Sequence, residues 1–384
     1  MAVTRYDLLL TGGRVLKADG SWRRADVALA DGVVAAVADR LDPGQAARRA
    51  DLDGAMVMPG LVDLHLHAYP GATFWGIEVD DVSLRSGVTT VVDAGSAGPY
   101  NFAGLARQLR TGRVRAFAYV NVASGGLAAP FGEALTPAAV DVEAAARVAR
   151  AHPDLVVGFK LRASPNTVGA NAAAALAALR RAADETGLKV MVHVSDPPPD
   201  LGAVLAHLRA GDVLTHCFTP YGNCVVGGDG RPRPEVLEAV GRGVMLDVGH
   251  GSGSFSFRAA ESWVRAGLPL PVVSTDLHRR SVLGPAFDMA TVMTKMLAAG
   301  ASLEGVLDAA TALPSKVLGA GPQSAALAAG SPGDVAVLAL EDGPLKVWDS
   351  RGLERVAPAR LRCLLTVRAG EVAFVDPEIR VAGL

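Results

Sequence analysis

Histidine, lysine and aspartate recur at one kind of place along this 384-residue chain, the ends of short apolar runs. His65 and His67 close the run that begins at Leu61, and Lys160 ends Val156-Val157-Gly158-Phe159. His193, His216, His250 and Asp276 end the four runs that follow. Spacing of two puts the His65 and His67 imidazoles on one face of a strand, where both can bind one ion. A single pair of this kind is weak evidence, whereas the whole set at successive run ends forms a metal-site pattern. Lys160 poses a different problem, because an isolated ammonium in an apolar strand costs several kcal/mol and burial lowers its pKa. Either an acidic side chain compensates it, or the neutral amine takes up CO₂ as a carbamate whose two oxygens bridge two cations.

The elements that position these residues follow from the pattern of apolar runs. Runs at 61–65, 88–94, 115–122, 156–161, 189–194, 212–216, 244–250 and 271–276 alternate with Ala-rich helical stretches, the signature of parallel βαβ units. Eight repeats predict a (β/α)₈ TIM barrel over residues 59–324, with its active site at the C-terminal strand ends. Residues 1–58 read as short strands at 7–10, 14–16, 27–30 and 33–37, separated by turn signals at Thr11-Gly12-Gly13 and Asp31-Gly32. A last set of strands follows Ser331-Pro332-Gly333, so 1–58 and 325–384 are expected to form one small composite β-sandwich domain.

Composition narrows the partners. Half the residues are hydrophobic and only 5% aromatic, so Ala, Val and Leu must build the core. With 37 basic and 39 acidic side chains the net charge is -2, which offers no field for nucleic acid or an anionic membrane. No apolar run approaches the roughly 18–20 residues that span a bilayer, and the N-terminus lacks signal-peptide character. Cys217, Cys224 and Cys363 form no C-x-x-C pair. A cytoplasmic protein without nucleic-acid or membrane partners is the expectation.

The stretch Met58-Pro59-Gly60-Leu61-Val62-Asp63-Leu64-His65-Leu66-His67, followed in order by Lys160, His193, His216 and Ser274-Thr275-Asp276, resembles the amidohydrolase superfamily of metal-dependent hydrolases. Asp93-Ala94-Gly95-Ser96-Ala97-Gly98, Lys160-Leu161-Arg162-Ala163-Ser164 and Asp247-Val248-Gly249-His250-Gly251 resemble its deacetylase, or dihydroorotase-like, branch. The resemblance implies two Zn²⁺ ions bridged by N6-carboxylated Lys160 and a hydroxide. His65, His67, Lys160 and Asp276 would hold one ion, and Lys160, His193 and His216 the other. It also implies a homo-oligomer.

Two Zn²⁺ against carbamate, carboxylate and hydroxide leave a charge of roughly +1, which favours an anion forming in the site. Asp276 is the natural general base. Arg162 shares strand parity with Lys160, and either clamps a substrate carboxylate or forms a rim salt bridge. His278 either faces the same way or caps its loop, and His250 is expected to orient substrate or the metal shell. The expected substrate is a small acylated amino or hydroxy acid, cleaved at an N-acyl or O-acyl bond, and the same resemblance implies that the acyl group is acetyl. Cyclic amidases of the dihydroorotase or hydantoinase kind share the metal set, although dihydroorotases typically carry an Arg two residues after the second histidine, where this chain has Tyr69. Isoaspartyl dipeptidases and D-aminoacylases are close alternatives. A non-catalytic barrel scaffold is the non-enzyme alternative, and no expected ligand is missing to support it.

Overall fold

The computed structural model describes residues 5–17, 19–129, 132–319 and 326–383, and its strands form two sheets. Seven parallel strands lie side by side in chain order: β6 (Leu61–Leu66), β7 (Val88–Ala94), β8 (Arg115–Asn121), β9 (Val156–Ala163), β10 (Lys189–Val194), β11 (Val213–Thr215) and β12 (Met245–Asp247). The eighth segment closes the ring through single parallel bridges, Asp247 with Val272 on one side and Leu66 with Leu277 on the other. The result is an α/β barrel, with α1 (Asp80–Leu84), α2 (Phe102–Thr111), α3 (Val142–Ala151), α4 (Ala172–Thr186), α5 (Leu201–Ala206), α6 (Pro234–Gly241), α7 (Phe257–Arg265) and α8 (Met289–Ala298) between and after its strands.

Three late runs are shorter ladders than the apolar pattern predicts, for a local reason. His216 has φ +64° and Asp276 φ +46°, so the chain leaves the extended conformation at the two chemical residues themselves. Gly249 at φ +47° does the same after β12. Elsewhere acidic caps set the helix starts: Asp141, Asp200 and Asp288 accept the backbone N–H groups of Ala144, Ala203 and Thr291. The barrel floor is filled by Leu64, Val92, Tyr119, Met191, Val213 and Val272, beneath the C-terminal rim where the polar strand-end residues stand.

Both chain ends contribute to the second sheet. β1 (Tyr6–Leu16), β2 (Trp22–Ala30), β3 (Val33–Ala38), β4 (Ala46–Asp51) and β5 (Met56–Pro59) join β13 (Val335–Trp348), β14 (Glu354–Arg368), β15 (Glu371–Val375) and β16 (Val381–Ala382). Asp31-Gly32 is the hairpin turn its composition predicts, both residues having positive φ. Thr11-Gly12-Gly13 is not a turn. It is a bulge inside one long strand, and its register shift lets β1 pair with β4 before it and β5 after it. The apolar faces of these strands enclose a core of their own around Leu8, Val27, Val57, Val337 and Leu365. The domain boundary expected at 324/325 lies outside the described residues. No helix among the described residues is long and apolar enough to cross a membrane.

Candidate metal centre and active site

The C-terminal rim opens on a cavity of about 430 Å³ lined by His65, His67, His193, His216, Lys160 and Asp276 among others. Three of the imidazoles are held by their Nδ1 atoms. His216 Nδ1 lies 2.7 Å from the carbonyl of Gly249, which can only accept, so this nitrogen carries the proton. His65 Nδ1 lies 2.8 Å from Thr215 Oγ1, whose single proton is directed to Asp247 Oδ2 at 2.6 Å. The hydroxyl therefore accepts from His65, and that imidazole also carries its proton on Nδ1. His67 Nδ1 pairs with Ser96 Oγ at 2.9 Å. In His65 and His216 the Nε2 lone pair is thus the free one, as a metal ligand requires.

Electrostatics reinforce this assignment. Burial holds His67 down at about 3 and His216 at about 4, and pushes His65 and His193 well below the usual imidazole range. All four are neutral at pH 7, the form that binds metal. Asp276 Oδ1 is buried without a hydrogen-bond partner among the described residues, 3.5 Å from His65 Nε2 and 3.3 Å from His67 Nε2. Against the His65 Nε2 lone pair a carboxylate oxygen is in a repulsive arrangement that a cation would convert into coordination. Nitrogen and oxygen donors of this kind suit zinc. The donors whose ligand atoms all lie within 4.8 Å of one another are His65, His216 and Asp276, which draws members from both of the ion positions that the resemblance implies.

Lys160 is 1% exposed, with Nζ 3.5 Å from His65 Nε2 and 3.2 Å from Met191 Sδ. It forms no ion pair with a carboxylate among the described residues. Burial lowers its pKa to about 8. The backbone makes room for it at Gly95, where φ is +85° and a Cβ would stand 2.6 Å from Lys160 Cβ.

Arg162 lines the same cavity and makes a salt bridge: its Nη1 donates to Glu133 Oε1 at 2.8 Å, and Asn121 Nδ2 holds the other oxygen of that buried carboxylate. The two expectations for Arg162 are therefore compatible, since the remaining guanidinium N–H groups have no partner among the described residues. His278 also lines the cavity while capping its own loop, its Nδ1 accepting the Arg280 N–H at 3.2 Å. That bond leaves the proton of the neutral ring on Nε2.

The expectation that His250 orients substrate or the metal shell is corrected. Its ring is fully buried and does not line the cavity, stacking instead on Phe255 with centroids 4.7 Å apart. Its Nδ1 faces the Gly251 carbonyl at 2.9 Å and its Nε2 accepts from Lys295 Nζ at 3.0 Å. The residue lies beyond the end of β12, and positive φ at Gly249 and Gly251 rotates the chain on both sides of it.

Several contributing residues carry no signal in a single sequence. Glu133 comes from a loop, while Trp75 and Tyr221 line the cavity from the loops that follow β6 and β11. Asp63 holds the His65 and Thr275 backbone N–H groups at 3.3 and 3.0 Å. Asp93 does the same for Ala68 and Ser96, both at 2.7 Å. These two carboxylates lie inside the motifs quoted above, where their acidity in apolar strands was the available clue.

A barrel with imidazole, lysine and carboxylate groups converging at its C-terminal rim has the architecture of a metal-dependent hydrolase. Residues 56–211 match the model of the amidohydrolase family. The chain belongs to that family, as its similarity to a deacetylase of Enterococcus faecalis also shows: 30% identity over 374 residues, 96% of this chain and 99% of the relative. A deacetylase of Agrobacterium fabrum is 35% identical over 325 residues, 84% of this chain and 80% of its own. Among solved structures, one described as an adenine deaminase superposes with TM-score 0.90 at 28% identity, covering 97% of this chain and all of that one. Another, described as a dihydroorotase, gives 0.88 at 31%, covering 97% and 98%.

Proposed function

We propose that this hydrolase is a binuclear zinc deacetylase that cleaves the N-acyl or O-acyl bond of a small acylated amino or hydroxy acid. The single observation that carries the reading is the convergence of fixed imidazole lone pairs and an unpartnered Asp276 oxygen around Lys160, with the Arg162 guanidinium on the same cavity wall. Two deacetylases among the relatives support the reaction class. His65, His67, Lys160 and Asp276 would hold one zinc and Lys160, His193 and His216 the other, with Lys160 carboxylated. Such ions supply an acidified water and polarise the acyl carbonyl.

The chain's own residues then divide the remaining work. Asp276 takes the proton of the attacking water and returns it to the leaving amine or alkoxide. Arg162, held by Glu133, grips the substrate carboxylate through its free N–H groups. His278 donates a hydrogen bond from Nε2 into the cavity, its Nδ1 being occupied by the Arg280 N–H. Water and acylated acid thereby give a carboxylate such as acetate plus the free amino or hydroxy acid. Cyclic amide hydrolysis is the second reading, favoured by the 31% identity to the dihydroorotase structure. Acetate release from a panel of acetylated acids, run beside cyclic ureides and with full metal removal, tests both. Turnover of acetylated acids that stops on chelation is expected; turnover insensitive to chelation would overturn the proposal.

A further inference from the structure

The long hairpin β13–β14 belongs to the second sheet, yet its tip reaches the barrel segment that walls the cavity. Ser350 Oγ accepts the Phe255 N–H at 3.0 Å, and the Ser350 N–H donates back to the Phe255 carbonyl at 3.0 Å. Asp349 is 4% exposed, and its Oδ2 accepts the Phe257 N–H at 3.2 Å. That bond caps α7, whose own N-cap Ser256 makes no side-chain capping bond. The other Asp349 oxygen accepts the Arg351 and Leu353 N–H groups at 2.8 and 2.9 Å, which stiffens the tip itself. A paired contact between Arg355 and Glu261, at 2.5 and 3.2 Å, ties the hairpin to α7 a turn further on.

Residues 252–254, immediately before the clamped Phe255, line the cavity together with Tyr221. Arg351 lies over the Tyr221 ring, its guanidinium carbon 4.7 Å from the centroid. A Cβ at Gly253 would stand 3.7 Å from the Tyr221 hydroxyl, so the two parts of the wall are neighbours. On the buried side of the same segment the His250 ring stacks on Phe255 and accepts from Lys295. The wall is therefore braced from behind by the barrel and from outside by the hairpin.

We infer that Ser350 and Arg351, at the tip of an element outside the barrel, are specificity-determining positioning residues: they set the shape of the Tyr221 and 252–254 wall against which the substrate packs. The inference rests on the proposed acyl hydrolase reading for its substrate and on geometry alone for the brace. Loss of the Arg351 cation should loosen Tyr221 and weaken substrate binding, while the proton-transfer and metal-binding groups stay in place.

The test uses the full-length protein with Arg351→Leu, Arg351→Lys and Ser350→Ala. Arg351→Leu is expected to raise KM for acetylated acids about fivefold, with kcat within about twofold and zinc content unchanged. Arg351→Lys keeps a cation over the ring and should restore most of the KM. Ser350→Ala should speed amide hydrogen exchange across residues 252–257 about fivefold without changing exchange in β9. The exchange measurement needs no substrate, so it tests the brace even if acetylated acids are not turned over. Unchanged exchange in Ser350→Ala, unchanged KM in Arg351→Leu, or equal losses in the Leu and Lys variants would overturn the inference.

Discussion

Replacing Arg162 by Lys isolates what its fork does, because the variant keeps a cation beside Glu133. Removing the charge altogether would leave a carboxylate that is 5% exposed without its partner, and the resulting instability would obscure the chemistry. In the native protein Nη1 is committed to Glu133 at 2.8 Å, and the other N–H groups, unpaired among the described residues, can take a second carboxylate. A lysine ammonium is a point charge that cannot serve two carboxylates in fixed planar geometry. Hydrogen bonds to charged groups contribute ~1.5–3 kcal/mol, and ~1.4 kcal/mol corresponds to tenfold in rate, so kcat/KM should fall about 10- to 150-fold. The fall should come mainly through KM and only for substrates with a free carboxylate. Steady-state kinetics on an acetylated acid and on its neutral methyl ester or amide make the comparison. An equal fall on the neutral substrate, or none on the acid, would refute the role given to Arg162.

Ser96→Ala removes the oxygen that meets His67 Nδ1 at 2.9 Å and should weaken zinc binding about 10- to 100-fold in a chelator competition; unchanged affinity would contradict the fixed-imidazole account. Lys295 offers a pH test, since burial takes its pKa from 10.5 to about 7. Between those values the unfolded chain holds a proton that the folded one lacks, so this group makes stability rise with pH. Between pH 7 and 8.5 the unfolding free energy of the native protein should gain about 1–2 kcal/mol relative to Lys295→Met, by denaturant titration. A flat or opposite difference would show that the buried amine keeps its charge.

The barrel and the polar residues that converge at its rim were legible because imidazole, lysine and carboxylate side chains stand out at the ends of apolar strands, where a single polar group needs a reason. Alternation carried His65, His67, Lys160 and Arg162 to the correct face, since β6 and β9 run extended past these positions or end beside them. Position at a run end did not suffice at His250, where two glycines with positive φ flank the residue and the ring stands off the cavity. The β1 bulge escaped the pattern as well, because a Gly-Gly pair reads as a turn until the partner strands are known. Glu133, Tyr221 and the hairpin tip were not legible. Their meaning lies in contacts between distant segments, such as Ser350 with Phe255, and no local spacing encodes those.

The central claim is that Lys160, beside neutral imidazoles and without a carboxylate partner among the described residues, carries a CO₂-derived anion that joins two zinc ions. Electron density at residue 160, with zinc content measured on the same protein prepared in zinc and bicarbonate, tests it directly. The account predicts a carbamate on Nζ and two ions per chain; a bare amine with one ion or none would contradict it.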